Sequence, residues 1–271
     1  MKIKRNGRIG ALMKILSDNP NEIFTLSYFT NKFNAAKSSI SEDIVVAKKL
    51  MEDLKLGRIE TISGAAGGVK YIPLISKEGI QETLEEICRK ISDTNRVIPG
   101  KFLYMADIIY DPRVVRKVGE IFATQFVGEN IDYVVTVETK GIPIALMTAN
   151  ALNVPLIILR RDSKVTEGST VSINYVSGST GKIQTMSISK RAIKNGAKVI
   201  IIDDFMKAGG TAKGMIDMMR EFEAEVAGIG VMIATKEPTN KVVQNYIPLL
   251  ILEEIDEEKG EICIHPNEKL V

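Results

Sequence analysis

Residues 199–211, Val-Ile-Ile-Ile-Asp-Asp-Phe-Met-Lys-Ala-Gly-Gly-Thr, gather in one window the groups needed to hold a phosphorylated sugar. Gly209 and Gly210 let the backbone turn its N–H groups toward an anion, and a following helix adds a favourable field at its N-terminus. Thr211 contributes a hydroxyl. Asp203 and Asp204 would repel a phosphate directly, but carboxylates accept hydrogen bonds from the vicinal hydroxyls of a ribose. A ribose 5-phosphate would therefore be read at both ends. A second stretch, Glu138-Thr-Lys-Gly-Ile-Pro143, offers Lys140 and the backbone around Gly141 to another anionic group such as a pyrophosphate. The chain has neither a Gly-x-x-x-x-Gly-Lys-Ser/Thr loop nor a Gly-x-Gly-x-x-Gly turn after a strand, which argues against nucleotide hydrolysis and hydride transfer.

Both stretches need strands behind them. From about residue 99, apolar runs alternate with amphipathic helical segments, the pattern of a parallel sheet covered on both faces. Tyr133–Val137, Val154–Leu159, Val199–Ile202 and Ile229–Ile233 are the clearest strands. Such sheets bind ligands at their C-terminal strand ends, where the two stretches fall. Helices are expected from Pro143 onward and over about Ala212 to Phe222.

The first 74 residues are of another kind. They carry 12 Lys/Arg against 7 Asp/Glu, whereas residues 75–271 carry 24 against 27, so the overall charge of +2 hides a basic head on a mildly acidic body. Ile9, Leu12, Met13 and Leu16 define a first helix ended by Asn19-Pro20. Thr25 caps a second, whose buried stripe is Leu26, Phe29 and Phe33. Ser39-Ile-Ser-Glu42 has capping-box spacing and opens a third, along which Ile40, Ile44, Ala47, Met51 and Leu54 form one face until Gly57. Arg58–Ile62 and Val69–Ile72 then flank a glycine turn as a hairpin. Three helices and a hairpin make a winged helix-turn-helix, whose third helix enters the major groove. Lys37, Ser38, Ser39 and Ser41 are placed to meet base edges. Lys2, Lys4, Arg5 and Arg8 on the N-terminal arm and Lys70 on the wing would meet phosphates.

The remaining residues mostly exclude. Cys88 and Cys263 are too far apart to form a disulfide framework, and Cys263 with His265, the chain's one histidine, makes a metal site improbable. That histidine, in a polar C-terminal tail, leaves Ser-His and Cys-His catalysis almost without candidates. No apolar run approaches a membrane span, and the N-terminus lacks the apolar centre of a secretion signal, so the expected location is the cytoplasm.

Four blocks in order resemble a known family over nearly the whole chain. They are Lys37-Ser-Ser-Ile-Ser-Glu-Asp43, Gly64-Ala-Ala-Gly-Gly-Val-Lys-Tyr-Ile-Pro73, Lys164-Val-Thr-Glu-Gly-Ser-Thr-Val-Ser-Ile-Asn-Tyr-Val-Ser-Gly178 and Asp203-Asp-Phe-Met-Lys-Ala-Gly-Gly-Thr211. Together they are similar to the purine operon repressors of Gram-positive bacteria. Separately, 203–211 and 138–143 resemble the phosphoribosyl pyrophosphate (PRPP) and pyrophosphate loops of type I phosphoribosyltransferases. The resemblance implies an α/β protein: a winged-helix DNA-binding domain over 1–74 joined to a phosphoribosyltransferase-like, mainly parallel effector domain over 75–271. It implies a homodimer on operator DNA, with PRPP as inducer, guanosine tetra- or pentaphosphate (ppGpp or pppGpp) as its competitor, no obligatory cofactor, and Mg²⁺ accompanying PRPP.

Carried over by motif, Asp203 and Asp204 would hold ribose hydroxyls, Ala208 to Thr211 (Ala208, Gly209, Gly210, Thr211) the 5-phosphate, and Thr139, Lys140 and Gly141 the pyrophosphate. Lys207 would add charge. Phe205 and Phe102 would flank a base, and Met206 and Tyr104 complete the set; the family often has Tyr where Phe102 stands. The segment from Arg160 to Met186, with Arg160, Arg161 and Lys164 at its start, matches the loop and hairpin that close over PRPP in the catalytic relatives.

The rival reading is an active purine or xanthine phosphoribosyltransferase with a helical appendage. A nucleotide-binding regulatory subunit that does not touch DNA is a third. Against the enzyme stand the helix-turn-helix pattern and the lack of a recognisable base-binding hood, since Glu253 to Glu268 reads as acidic and polar.

Overall fold

The computed structural model describes residues 3–64, 67–138, 140–162, 168–177 and 181–270. Among them the head consists of α1 (Arg5–Asp18), α2 (Leu26–Phe33), α3 (Lys37–Asp53), β1 (Arg58–Ile62) and β2 (Gly68–Ile72). The helices form because their apolar residues repeat every three or four positions and meet in one core. Leu12 and Leu16 of α1, Phe29 and Phe33 of α2, and Ile40, Ile44, Ala47 and Met51 of α3 close on Ile59 and Val69 of the wing. Thr25 caps α2 as expected, its hydroxyl accepting from the Tyr28 N–H.

Two expectations for α3 need correction. It starts at Lys37 on an Ala36 cap that offers no side chain, so Ser39 and Glu42 lie inside the helix and form no capping box. The left-handed Asn34 already turns the chain, and burying Ile40 and Phe33 in one core sets the start. At the other end Leu54 is exposed and leaves the buried stripe.

The body continues with α4 (Lys77–Ile91), a small hairpin of β3 (Val97–Ile98) and β4 (Phe102–Leu103), then α5 (Ala106–Ile109), α6 (Pro112–Gln125), β5 (Tyr133–Val137), α7 (Gly141–Leu152) and β6 (Leu156–Leu159). A second hairpin, β7 (Thr170–Val176) and β8 (Ile183–Ser189), precedes β9 (Lys198–Met206), α8 (Gly210–Arg220), β10 (Glu225–Thr235), β11 (Ile247–Asp256) and β12 (Glu261–Pro266). Six strands form one sheet in the order β12-β11-β10-β9-β5-β6, parallel except for the β11–β12 pair. One face packs on α4, α6 and α7 through Ile200, Ile202, Val134 and Phe122. The other packs on α8 and the β7–β8 hairpin through Ile201, Val199, Met215 and Met186.

Strands therefore read as nearly continuous apolar runs, as both faces are covered. β9 is longer than the four residues expected, because the ladder to β10 continues through Asp203, Phe205 and Met206. The C-terminal segment that looked like a polar tail is instead the end of β11 and the edge strand β12, which bury Ile255 and Ile262. No helix among the described residues is long and apolar enough to cross a membrane.

The head rests on the body. The Asn21 side-chain amide donates to the Ala151 carbonyl at the end of α7 at 2.7 Å, and the Thr124 hydroxyl of α6 donates to the Pro73 carbonyl at 3.5 Å.

Candidate functional site

At the C-terminal ends of β5 and β9 lies a cleft of about 330 Å³ whose lining includes Lys140, Asp203, Asp204, Phe205, Lys207 and Gly209 to Thr211. β9 carries the two acids to the sheet's end. The chain then turns at Gly209, which sits at φ +84°, a left-handed conformation that favours glycine, and enters α8 at Gly210. Loop and helix start thus present backbone N–H groups to the cleft. From β5 the chain passes Lys140 into α7, which begins at Gly141, two residues earlier than Pro143. A side chain at Gly141 would meet Thr136 Oγ1 at 2.8 Å and Asp203 Oδ1 at 3.1 Å, so glycine is what lets the two loops approach.

The acidic pair is electrostatically loaded. Asp203 is 6% exposed and accepts the Asp204 N–H on Oδ1 at 3.0 Å. Burial raises its pKa well above the usual carboxylate range, and the neighbouring Asp204 charge raises it further. Burial raises Asp204 as well, while Lys140 across the cleft opposes that shift. The pair therefore holds a proton more strongly than ordinary carboxylates do, and a partner offering hydroxyl donors or positive charge would weaken that hold.

A second lobe of about 560 Å³ shares Lys140, Asp204, Phe205 and Lys207 with the first and is walled by Phe102, Leu103, Met105, Leu252 and Ile255. Aromatic and aliphatic walls with acids at the edge, Glu253 and Glu254, suit a flat heterocycle. β4 and the end of β11 supply these walls.

The residues nominated from sequence separate as follows. Asp203, Asp204, Phe205, Lys207, Gly209, Gly210, Thr211 and Lys140 converge on the cleft, and Phe102, 64% exposed, stands on the rim of the second lobe. Met206 contributes backbone only, its side chain being in the core. The Ala208 carbonyl turns away from the cleft to accept the Val242 N–H at 2.9 Å. Tyr104 lines neither lobe; its N–H donates to the Arg96 carbonyl and its carbonyl accepts from Arg96 Nη1. Thr139 and Lys164 lie outside the described residues. The cleft's far wall, Arg161, Tyr175, Ser177 and Gln184, comes from the segment matched to the closing loop. There the Tyr175 hydroxyl donates to Gln184 Oε1 at 2.7 Å. No sequence signal picked out Tyr175 or Gln184, because alternation in a hairpin says which face a residue occupies and not what that face meets.

On the head, Lys37, Ser38 and Ser41 are exposed at the start of α3 and Ser39 is half-buried; Lys4 and Arg5 are exposed on the arm. Lys2 lies outside the described residues. Lys48, which was not nominated, follows Lys37, Ser41 and Val45 at helical spacing and is exposed on the same face. Three of the nominated cations have acidic partners within the head: Arg5, 54% exposed, stands 3.5 Å from Asp43 and 3.8 Å from Glu42. Arg8, 13% exposed, donates through Nε to Asp43 Oδ2 at 2.7 Å and through Nη1 to the Ile3 carbonyl, tying α1 to α3. Lys70 stands 3.6 Å from Glu60 and lines a cleft between wing and body with Asn21, Arg58 and Gly128.

Cys88 is buried and Cys263 exposed, and neither is in a disulfide. Cys263 and His265 both face Glu253, which Lys236 already holds at 2.6 Å. Among the described residues no cluster of three His, Cys, Asp or Glu side chains is arranged for a metal.

A winged-helix head seated on a phosphoribosyltransferase-like domain, with an anion-shaped cleft in the latter, defines a DNA-binding regulator built on an enzyme fold. Comparisons agree. Residues 4–73 match the family model of the bacterial purine repressor N-terminal region, and residues 105–260 that of the phosphoribosyl transferase domain. The purine biosynthesis transcriptional repressor PurR of Bacillus subtilis (strain 168) is 47% identical over 264 residues, 97% of this chain and 93% of that protein. The purine biosynthesis transcriptional activator PurR of Lactococcus lactis subsp. lactis (strain IL1403) is 39% identical over 254 residues, 94% of each. Adenine phosphoribosyltransferase from Thermoanaerobacter pseudethanolicus, at 24% identity and a TM-score of 0.54 over 62% of this chain and 98% of that one, shares the body's type I fold. The chain belongs to the bacterial purine repressor family, whose members are transcriptional regulators.

Proposed function

We propose that this protein represses genes of purine synthesis and transport, binding operator DNA as a homodimer through its heads and releasing it when PRPP fills the body's cleft. The carrying observation is the cleft: the acidic pair, the glycine turn and Lys140 line one space at the sheet's end, the kinds of group that a ribose, a 5-phosphate and a pyrophosphate would each need. Asp203 and Asp204 would take the ribose hydroxyls, the 208–211 turn the 5-phosphate, and Lys140 and Gly141 the pyrophosphate. Mg²⁺ would arrive with the ligand's phosphate oxygens, since this ion is commonly held by one or two carboxylates plus phosphates. The second lobe leaves room for the base of ppGpp or pppGpp, which would compete through the shared residues.

Coupling has a material route. α7 starts just after Lys140, which lines the cleft, and ends where Ala151 accepts from Asn21 of the head. PRPP can weaken DNA binding only by preferring the state that binds DNA poorly, so operator DNA must weaken PRPP by the same factor. Family members bear both repressor and activator names, and repression is favoured here by the higher identity to the repressor.

The intact cleft also keeps an active phosphoribosyltransferase as the second reading. One experiment separates the two: fluorescence anisotropy on labelled purine-operon DNA at fixed ionic strength, with and without PRPP and Mg²⁺, beside pyrophosphate release with each purine base. Tight DNA binding relieved by PRPP is expected. Turnover at enzymatic rates without DNA binding would overturn the repressor reading.

A further inference from the structure

The loop after β10 holds a lysine where lysines are rarely found. Lys241 is 6% exposed, and its ammonium is satisfied by neutral oxygens: the Lys207 carbonyl at 2.6 Å, the Pro238 carbonyl at 3.0 Å and Thr235 Oγ1 at 3.4 Å. Three acceptors match its three donors. Among the described residues no carboxylate is ion-paired with it; the charge that acts on it is that of Glu237 in the same loop. A buried cation whose hydrogen bonds all go to neutral oxygens is costly, and burial accordingly lowers its pKa, with Glu237 opposing the shift.

What this arrangement does follows from peptide geometry. In a planar trans peptide the C=O and the N–H point in opposite directions. The Lys207 carbonyl is drawn back to Lys241, so the N–H of Ala208 faces the other way. The next carbonyl, that of Ala208, is drawn back by the Val242 N–H at 2.9 Å, which turns the Gly209 N–H away from the same loop. Two successive N–H groups are thus aimed off the brace, in the turn that lines the cleft.

We propose that Lys241 is a positioning residue for phosphate recognition: from behind the turn it fixes the 207–209 peptides with their N–H groups outward and supplies the buried positive charge that an incoming phosphate dianion compensates. This rests on the reading of the 203–211 turn as a sugar-phosphate site. It explains why a cation is kept where a neutral donor would satisfy the carbonyls, and why the 235–243 loop belongs to the site although no part of it other than Thr235 and Glu237 lines the lobes.

The test is calorimetric titration of ribose 5-phosphate, and of PRPP with Mg²⁺, into full-length wild type, Lys241→Met, Lys241→Gln and Lys241→Arg. Gln keeps a donor without charge, Met keeps neither, and Arg keeps both. The expected order of affinity is Arg near wild type, Gln weaker by about threefold and Met by about tenfold or more, the scale of one hydrogen bond to a charged group. DNA affinity without ligand should be unchanged in all three. Met within twofold of wild type, or Arg falling as far as Met, overturns the inference. If Met does not fold, equal affinities of Gln and Arg overturn it. Wild type failing to bind either ligand would instead sink the sugar-phosphate reading itself.

Discussion

The head and the cleft received their candidate residues from one sequence, yet the structure treats the two sets differently. In the cleft nearly every nominated side chain or backbone group that is described reaches the same space. In the head, cations of equal formal promise divide: Lys4 and Lys37 face outward, Arg5 is exposed but shares Asp43 with the half-buried Arg8, and Lys70 turns toward Glu60 and the body. The cleft motif is defined by backbone needs, a strand end, a turn at positive φ and a helix start, and these are local. A basic residue near a helix-turn-helix is defined by charge alone, and charge does not say which way a side chain points.

That contrast breaks most visibly at Arg8. If its role is to neutralise Asp43, which is 1% exposed, then Arg8→Ala leaves a buried carboxylate with Arg5 alone, whose Nε is 3.5 Å away. Losing one partner of such a pair costs about 3 kcal/mol, so thermal or urea melts of the head should shift strongly and DNA binding fall with folding. A variant that melts like wild type while losing DNA affinity would return Arg8 to the phosphate-contact set.

Asp203→Asn probes the other region and should separate stability from function. Unfolded, Asp203 titrates near the ordinary carboxylate value of about 4; folded, burial and Asp204 hold it well above. Between those two points the folded state keeps a proton the unfolded chain has lost. Stability is therefore full below the lower pKa and falls as pH rises through the upper one. Asn keeps an oxygen for the Asp204 N–H and carries no charge, so at pH 8 the variant should be more stable than wild type, with a flatter pH profile. It should also lose the response to PRPP. In wild type, sugar hydroxyls favour the ionised pair, so PRPP affinity should climb as pH rises above the ordinary carboxylate range, with proton release, measurable by calorimetry in buffers of different ionisation enthalpy. A destabilised Asn variant, or one that still responds, would contradict the loaded-pair description.

How far each region could be read from residues follows the same division. The helices of the head and the strands of the body were legible because burial imposes periods of about 3.6 and 2 on the side chains. The start of α3 was not, since Ser39 and Glu42 satisfy the capping-box spacing whether or not the helix begins there, and core packing of Ile40 decides. β11 and β12 were missed because Glu253, Glu254 and Glu257 mask an alternation that buries Leu250, Leu252 and Ile255. Lys241 was illegible for a different reason. In Glu-Pro-Thr-Asn-Lys it looks like one more polar turn residue, and only the return of the 235–243 loop beneath Lys207, a contact 34 positions away in sequence, gives it meaning.

The smallest expected effect sharpens the comparison within the head itself. Each phosphate neutralised on B-DNA contributes about 0.9 to the slope of log affinity against log salt. Lys37→Ala removes an exposed cation from the start of α3 and should lower that slope by about one. Lys70→Ala removes a cation already paired with Glu60 and facing the body, so the slope should stay put while any change in affinity remains salt-independent. Operator titrations from about 50 to 200 mM KCl measure both. Equal slopes for the two variants would mean that the wing reorients on DNA and frees Lys70, and the orientation seen in the unbound protein would then describe a resting state of the head, with the cleft between wing and body opening as DNA binds.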